Sequence, residues 1–448
     1  MKLPVTFCNE KRRRQASVLI IVLWVCIGLV SIALYFANQM TYELRASDNR
    51  ASGLAADQAI EGAARYVALA LQTYATNGAV PNNTQFSCEA VPVGDSRFWL
   101  IGRDPAGGDS TEPYFGLVDE GGKLNLNNVS TNMFQYLPNM TTDFADAIMD
   151  WRGTNGVVSL DYTSMGYLPK YAPFETVDEL RLVYGSSEDL LVGEDVNRNG
   201  VLDKNEKDLN GNGTLDSGIF EDVTVYTREP NFHSDGTSLT NVNTASTGTM
   251  RTLLQGAGIS TSYVPQLTQT NPSARTYRGL FAFALRCRNI GISADDFSRM
   301  AGDITTTTNL YLRNRVNVNT ANVDVLIALF MGANIDESTA ESAAQTLISY
   351  RQQNPNNLGS VAWIVDALGN NSPVVTALAR GDWVTTRSYQ FTADIAAVGP
   401  YGRGYRRVKF IFDMSDGTPK ILYRQDLSRL GWALGEKARE QLLANNTQ

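Results

Sequence analysis

The run Asp195-Val196-Asn197-Arg198-Asn199-Gly200-Val201-Leu202-Asp203-Lys204-Asn205-Glu206 carries the most explicit chemistry in this chain. Oxygen-bearing side chains stand at positions 1, 3, 5 and 9 of a twelve-residue loop, with glycine at 6, an aliphatic residue at 8 and glutamate at 12. Calcium takes about six to eight hard oxygen ligands at roughly 2.4 Å, and this spacing wraps that many around one point. Asp195, Asn197, Asn199, Asp203 and Glu206 would supply side-chain oxygens, and Val201 its carbonyl. Thirteen residues on, Asp208, Asn210, Asn212, Gly213, Thr214 and Asp216 repeat the first nine positions. Position 12 of this second loop is Ile219, so its last acid has to come from Glu221, Asp222 or the neighbouring loop. Ca2+ is therefore the predicted cofactor, over residues 195–216.

Other chemistry is sparse. His233 is the one histidine, in the polar run Asn231-Phe232-His233-Ser234-Asp235-Gly236, so a histidine-rich zinc site is excluded and a Ser-His-Asp triad would hang on one loop residue. The sequence contains no P-loop, no Gly-x-Gly-x-x-Gly and no Gly-x-Ser-x-Gly, and no enzyme activity is expected. Loop two begins two residues after loop one ends, leaving no room for a helix between them. The tandem resembles thrombospondin-type or dockerin-type calcium repeats more than a paired EF-hand sensor, and its expected role is to staple a long loop. Of four cysteines, Cys8 and Cys26 fall in the N-terminal leader and apolar run, and Cys88 and Cys287 could pair in an exported body.

The elements that position the loops begin with the N-terminus. Lys11-Arg12-Arg13-Arg14-Gln15 precedes Val18 to Ala37, twenty residues interrupted only by Gly28 and Ser31. That is one bilayer crossing, with the basic leader on the cytoplasmic side and everything beyond about residue 40 on the other. Lys2, Lys11, Arg12, Arg13 and Arg14 against Glu10 give the leader +4 of the net −8, leaving −12 for the body, which would repel nucleic acid. No proline occurs between Pro4 and Pro81, and Tyr42, Leu44, Leu54, Ile60, Ala63, Ala64, Val67 and Leu71 recur at helical spacing. The span should continue as one helix to about Thr76.

Helical and strand-like patterns then alternate in blocks. Arg97–Gly102 and Tyr114–Val118 are strand-like, as are Tyr389–Ala397, Arg406–Met414 and Ile421–Arg424, with Gly399-Pro400-Tyr401-Gly402-Arg403-Gly404 and Ser415-Asp416-Gly417-Thr418-Pro419 as turns. Between them lies an internal repeat. Lys123-Leu-Asn-Leu-Asn-Asn, Ile148-Met-Asp-Trp-Arg152 and Thr176-Val-Asp-Glu-Leu parallel Arg315-Val-Asn-Val-Asn-Thr, Leu347-Ile-Ser-Tyr-Arg351 and Ser360-Val-Ala-Trp-Ile. Each unit is similar to a helix-hairpin-helix module. The hairpin Met331-Gly332-Ala333-Asn334-Ile335 lacks the second glycine of the DNA-gripping form, and Asp336 and Glu337 follow, so protein binding is expected instead. The fold class predicted is α+β: a long N-terminal helix on an antiparallel sheet, with a mainly α-helical insertion of two such repeats and a calcium loop. Residues 231–275, rich in Ser, Thr, Asn and Gly, read as a flexible insertion.

The junction Arg14-Gln15-Ala16-Ser17-Val18-Leu19-Ile20-Ile21 resembles the class III signal of type IV pilins and type II secretion pseudopilins. Asp119–Asn127, Ala147–Arg152, Ala172–Arg181 and Arg315–Ala321 look like motifs of the minor pseudopilin class called K. The resemblance implies cleavage by prepilin peptidase after Ala16, where the family usually has glycine, and methylation of the new N-terminus at Ser17. Most pilins carry glutamate at the fifth mature position, where this chain has Ile21, and the K class characteristically lacks it. The implied organisation is a leader over 1–16, a transmembrane and pilin helix over 17–76, sheet over 77–122 and 386–448, and an inserted domain over 123–385. The implied role is a tip subunit of the type II secretion pseudopilus, helping to initiate and cap its assembly for protein export across the outer membrane. Its implied setting is the bacterial inner membrane with the body in the periplasm. I-class and J-class minor pseudopilins and the major pseudopilin are the implied partners. A minor pilin of a type IV pilus or competence system, and a membrane-anchored calcium-dependent adhesin, are the alternative readings.

Overall fold

A computed structural model of the protein describes residues 11–104, 110–153, 162–268 and 276–444. The first element, α1, runs unbroken from Lys11 to Tyr74. Its section from Val18 is long and apolar enough to cross a membrane, and every residue from Val18 to Ala51 is exposed. Beyond residue 51 the helix changes character, because Ala56, Ala59, Ile60, Ala63, Ala64, Val67 and Leu71 form one buried stripe at helical spacing.

That stripe lies on a sheet. Its strands are β1 (Val91–Val93), β2 (Ser96–Ile101), β3 (Val118–Asp119), β4 (Gln390–Val398), β5 (Arg406–Asp413) and β6 (Lys420–Asp426). The order is β1-β2-β4-β5-β6, with β3 also pairing β4, and every pairing is antiparallel. Successive strand side chains point to opposite faces, so Phe391, Ala393, Ile395 and Ala397 of β4 meet α1 together with Phe98, Leu100, Phe410 and Phe412. Alanines on the helix allow close approach to these rings. The other face of the sheet carries Trp99, Ile101, Ala396 and Val398, covered by Ala433, Leu434 and Ala438 of the C-terminal segment, which ends in a helix over Gly435–Ala444.

Between β3 and β4 the chain builds one further core, running from Leu124 to Val384. The α+β class expected from sequence is the one observed, but the insertion holds three copies of its module, not two. Each copy opens with an Asn-x-Asn strand that pairs in parallel with a closing strand ending in threonine: Leu124–Asn125 with Val223–Thr224, Thr240–Asn241 with Ile304–Thr305, and Val316–Asn317 with Val384–Thr385. In each, the first asparagine accepts at Oδ1 the backbone N–H two residues on: Asn127 on Asn125 at 2.9 Å, Asn243 on Asn241 at 3.0 Å, Asn319 on Asn317 at 3.0 Å. The second asparagine clamps the returning chain. Asn127 both donates to and accepts from the backbone of Phe174, and Asn243 does the same with Tyr277.

Residues 231–275 are accordingly not a flexible insertion over their described part. They contain Asn241-Val242-Asn243-Thr244-Ala245, the same five residue types as Asn317-Val318-Asn319-Thr320-Ala321, followed by a helix over Thr247–Gly256 with Ser246 as its N-cap. Residues 269–275 of that stretch lie outside the described residues, as do 1–10 of the leader. The polar composition misleads because the apolar residues of this stretch, among them Val242, Met250, Leu254, Ile259, Val264 and Leu267, are scattered among polar ones, yet all reach the shared core. Cys88 and Cys287 are both free and buried, in separate cores, which corrects the suggestion that they pair. Burial pushes the Cys88 thiol up to about 11 and raises that of Cys287 as well.

Candidate metal centre

Both predicted loops adopt one conformation. In loop one, Asp195 accepts the N–H groups of Asn199 (2.9 Å) and Gly200 (2.7 Å), and in loop two Asp208 accepts those of Gly211 (2.6 Å) and Gly213 (2.8 Å). Gly200 and Gly213 hold φ of +84° and +76°, the left-handed turn that a Cβ disfavours. The ninth-position acids are equivalent too. Asp203 accepts from the side-chain amides of Asn197 (2.5 Å) and Asn199 (3.0 Å), as Asp216 does from Asn210 (2.5 Å) and Asn212 (3.2 Å). Thr214 donates its hydroxyl to Asn212 Oδ1 at 2.8 Å.

The twelfth position shows where sequence reasoning fell short. Glu206 caps loop one, accepting from the N–H groups of Asn197 and Asp203, both at 3.0 Å. In loop two that role passes to Glu194, one residue ahead of loop one and only 3% exposed. Its carboxylate accepts from Leu209 N (2.5 Å) and Asp216 N (3.0 Å). Glu221 and Asp222, the named candidates, are occupied elsewhere: Glu221 forms a two-pronged pair with Arg103 at 2.6 and 2.8 Å, and Asp222 accepts from Asn322 at 2.6 Å. The signal available in the sequence was the acid immediately preceding the first aspartate.

Loop one is buried and loop two exposed, and the electrostatics follow. Asp195, Asn197, Asn199 and Val201 are each at most 5% exposed. Burial pushes the Asp195 carboxyl up to about 6 despite Arg103 nearby, and burial raises Glu206 also. Asp208, hydrogen-bonded to Gly213 and Gly211 in the open, is held below the usual carboxylate range. Asn197 and Asn199 turn their amide NH2 groups to Asp203, which leaves Asn197 Oδ1 buried with no partner. No group of three or more His, Cys, Asp or Glu side chains converges as a metal site among the described residues. The donor set expected from the sequence includes amide and carbonyl oxygens as well as carboxylates.

The head sheet positions loop one directly. Arg407 of β5 is fully buried, forked on Asp394 of β4 at 2.9 and 2.6 Å. Its remaining N–H groups donate to the carbonyl oxygens of Asn197 (2.5 Å) and Arg198 (2.8 Å). Arg103, just after β2, donates to the same Arg198 carbonyl at 3.2 Å.

No family model and no curated protein matches the chain. A solved chain of the GspK-GspI-GspJ complex from the enterotoxigenic Escherichia coli type 2 secretion system is similar to it, at 10% identity and a TM-score of 0.41, over 86% of this chain and 99% of that one.

The residues predicted for processing lie on α1, away from the loops in sequence. Ala16 and Ser17 lie in the first turns of α1, and their side chains are outside the described ones. Ile21 is 60% exposed on the apolar part of that helix.

Proposed function

We propose that this chain is a K-class minor pseudopilin of a type II secretion system, anchored in the inner membrane by α1 and built to occupy the pseudopilus tip. The observation that carries the reading is the continuity of α1. One helix serves as an apolar span and, without a break, as the buried spine of an antiparallel head. That design lets neighbouring copies of such helices bundle while the heads stay outside. A stacking pilin is expected to offer glutamate to the charged amine of its neighbour, because a buried unpaired charge is costly. Ile21 offers none, and a three-module insertion adds bulk where a further subunit would stack. I-class and J-class minor pseudopilins, the major pseudopilin and prepilin peptidase are the partners this reading implies.

Counting pseudopili by electron microscopy tests it, in cells overproducing the major pseudopilin with this protein intact, deleted or trimmed of residues 125–385. Trimming should give longer or misregulated pseudopili, whereas Ile21→Glu alone should change little. A trimmed form that behaves like the intact one would contradict the capping role and favour the adhesin reading.

Calcium belongs to the same proposal. The buried orphan Asn197 Oδ1 and the desolvated Asp195 carboxyl fit a hard cation. An amide has nearly the same shape after a half-turn, so Asn197 can present oxygen where it now presents NH2, whereas Asn199 holds its Oδ1 on the Val201 N–H. Asp195, Asn197, Asn199, Val201, Asp203 and Glu206 would hold one ion, and Asp208, Asn210, Asn212, Thr214, Asp216 and Glu194 a second. Bound calcium would give Asp203 a full positive charge in place of the hydrogen bonds that the two neutral asparagine amides now donate to it. Arg407 and Arg103 then transmit that rigidity by fixing the loop to the head.

A further inference from the structure

We propose that the backbone carbonyl of Trp432 is a further ligand for the calcium of loop one, so that the cation ties the C-terminal segment to a loop residue 235 positions earlier. The inference rests on reading loop one as a calcium site.

Asn197 is the meeting point. Its side-chain nitrogen donates to Asp203 Oδ2 at 2.5 Å and to the Trp432 carbonyl at 3.3 Å, while its Oδ1 is buried with no partner. The half-turn of the amide that presents oxygen to a cation puts that oxygen where the nitrogen now stands. The bond to Trp432 is then lost, and the oxygens of Asp203, Asn197 and Trp432 converge with no hydrogen between them. Such oxygens repel one another unless a positive charge joins them. Their spacings suit one, because ligands about 2.4 Å from a shared calcium lie roughly 3 Å apart. The donor count also leaves room for another oxygen. Asn199 keeps its Oδ1 on the Val201 N–H at 3.0 Å, so the loop's own groups stand at the low end of the about six to eight oxygens that calcium takes.

Trp432 is held from its other side by the head. Its indole Nε1 donates to the Gly435 carbonyl at 2.7 Å, its ring lies 5.1 Å from that of Tyr405, and Ala433 and Leu434 are buried against Trp99, Ile101, Ala396 and Val398. Beyond them the helix over Gly435–Ala444 has little to hold it. Among its described residues only Gly435 and Ala438 are buried, and so short a helix is marginal by itself. Lys204, in loop one, reaches Glu436 at 2.6 Å, but both side chains are in the open, where such a pair counts for little. The anchorage of this helix therefore runs through Trp432, beside the loop. With its carbonyl held by the cation, Trp432 fixes this cover on one face of the sheet; without that hold, the cover opens from the chain's end.

The dipeptide Trp-Ala occurs once in the sequence, at Trp432-Ala433. A chain labelled with carbon-13 at the tryptophan carbonyls and nitrogen-15 at alanine therefore gives one NMR signal for that peptide bond. The test follows this signal in the full chain in detergent micelles during a calcium titration. Calorimetry on the same sample measures binding at loop one as the heat that Asp195→Ala with Asp203→Ala removes. The expected result is a downfield move of the Trp432 carbonyl that saturates with loop-one binding, and a several-fold slower hydrogen exchange at the Ala433 amide, both absent from the double variant. A lost hydrogen bond alone would move the carbonyl upfield. Calcium bound at loop one with the carbonyl unmoved or moved upfield, or with the Ala433 amide exchanging faster, would overturn the ligand and leave loop one a calcium site. No calcium at loop one would overturn both.

Discussion

Arg407 and Asn197 stand 210 residues apart in sequence, and a guanidinium N–H of the first donates to the carbonyl of the second at 2.5 Å. This bond joins the sheet of the head to the third position of the candidate calcium loop. Because Arg407 is fully buried and forked on Asp394, removing it strands a carboxylate in the interior. Arg407→Ala is expected to cost about 3–5 kcal/mol, the range for breaking a buried ion pair. Arg407→Lys keeps the charge but not the fork, and should lose less stability while still freeing the loop from the head. Urea unfolding of residues 40–448 measures both, and an unchanged midpoint for Arg407→Ala would contradict the link.

Calcium should stabilise the same fragment. A ligand at 100 times its dissociation constant adds about 2.7 kcal/mol, which raises Tm by a few degrees. Chelator should reverse the shift, and Asp195→Ala with Asp203→Ala should abolish the loop-one part of it. Calorimetric titration should give two sites in the parent and one in Glu194→Gln, because Glu194 caps loop two. A Glu194→Gln protein that still binds two ions would show that loop two finds its last ligand elsewhere.

Much of this was legible in the chain. The apolar run followed by small residues at helical spacing announces α1, and the aromatic and β-branched runs around Trp99, Phe391 and Phe410 announce the sheet, because periodicity reports which face is buried. The second module escapes a composition reading because its Asn-Val-Asn-Thr-Ala signature sits in a polar stretch, where its apolar anchors are scattered among polar residues. Glu221, Asp222 and the neighbouring loop are the expected sources of the last acid, and the tandem folds back so that Glu194, the residue just before loop one, caps loop two. Arg407 carries no local pattern at all; its side chain joins Asp394 on the neighbouring strand to the Asn197–Arg198 segment about 210 residues away.

The second module has a direct test. Asn243 fastens both backbone groups of Tyr277 at 3.0 and 2.8 Å, so Asn243→Ala strands two polar groups in a partly buried setting. A loss of about 1–3 kcal/mol is expected. A flexible stretch would tolerate the change, and a thermal melt identical to the parent's would contradict the modular description.

Asp222 should make stability depend on pH. Burial pushes its carboxyl up to about 7, with the charges of Asp324 and Glu221 adding to the effect and the Asn322 hydrogen bond opposing it. The folded state therefore holds the proton more tightly than the unfolded chain. The contribution is fully present below the unfolded value near 4 and is lost as pH rises through about 7. Asp222→Asn should be the more stable protein at about pH 8 and should lack the parent's gain on acidification to about pH 5. Parallel pH profiles for the two would contradict the assignment.

The assignment to the pseudopilins is tested most directly at the N-terminus of the membrane-bound protein. Mass spectrometry should find that chain beginning at a methylated Ser17, with the residues through Ala16 removed. An intact leader, or a chain beginning beyond Ala37, would contradict it.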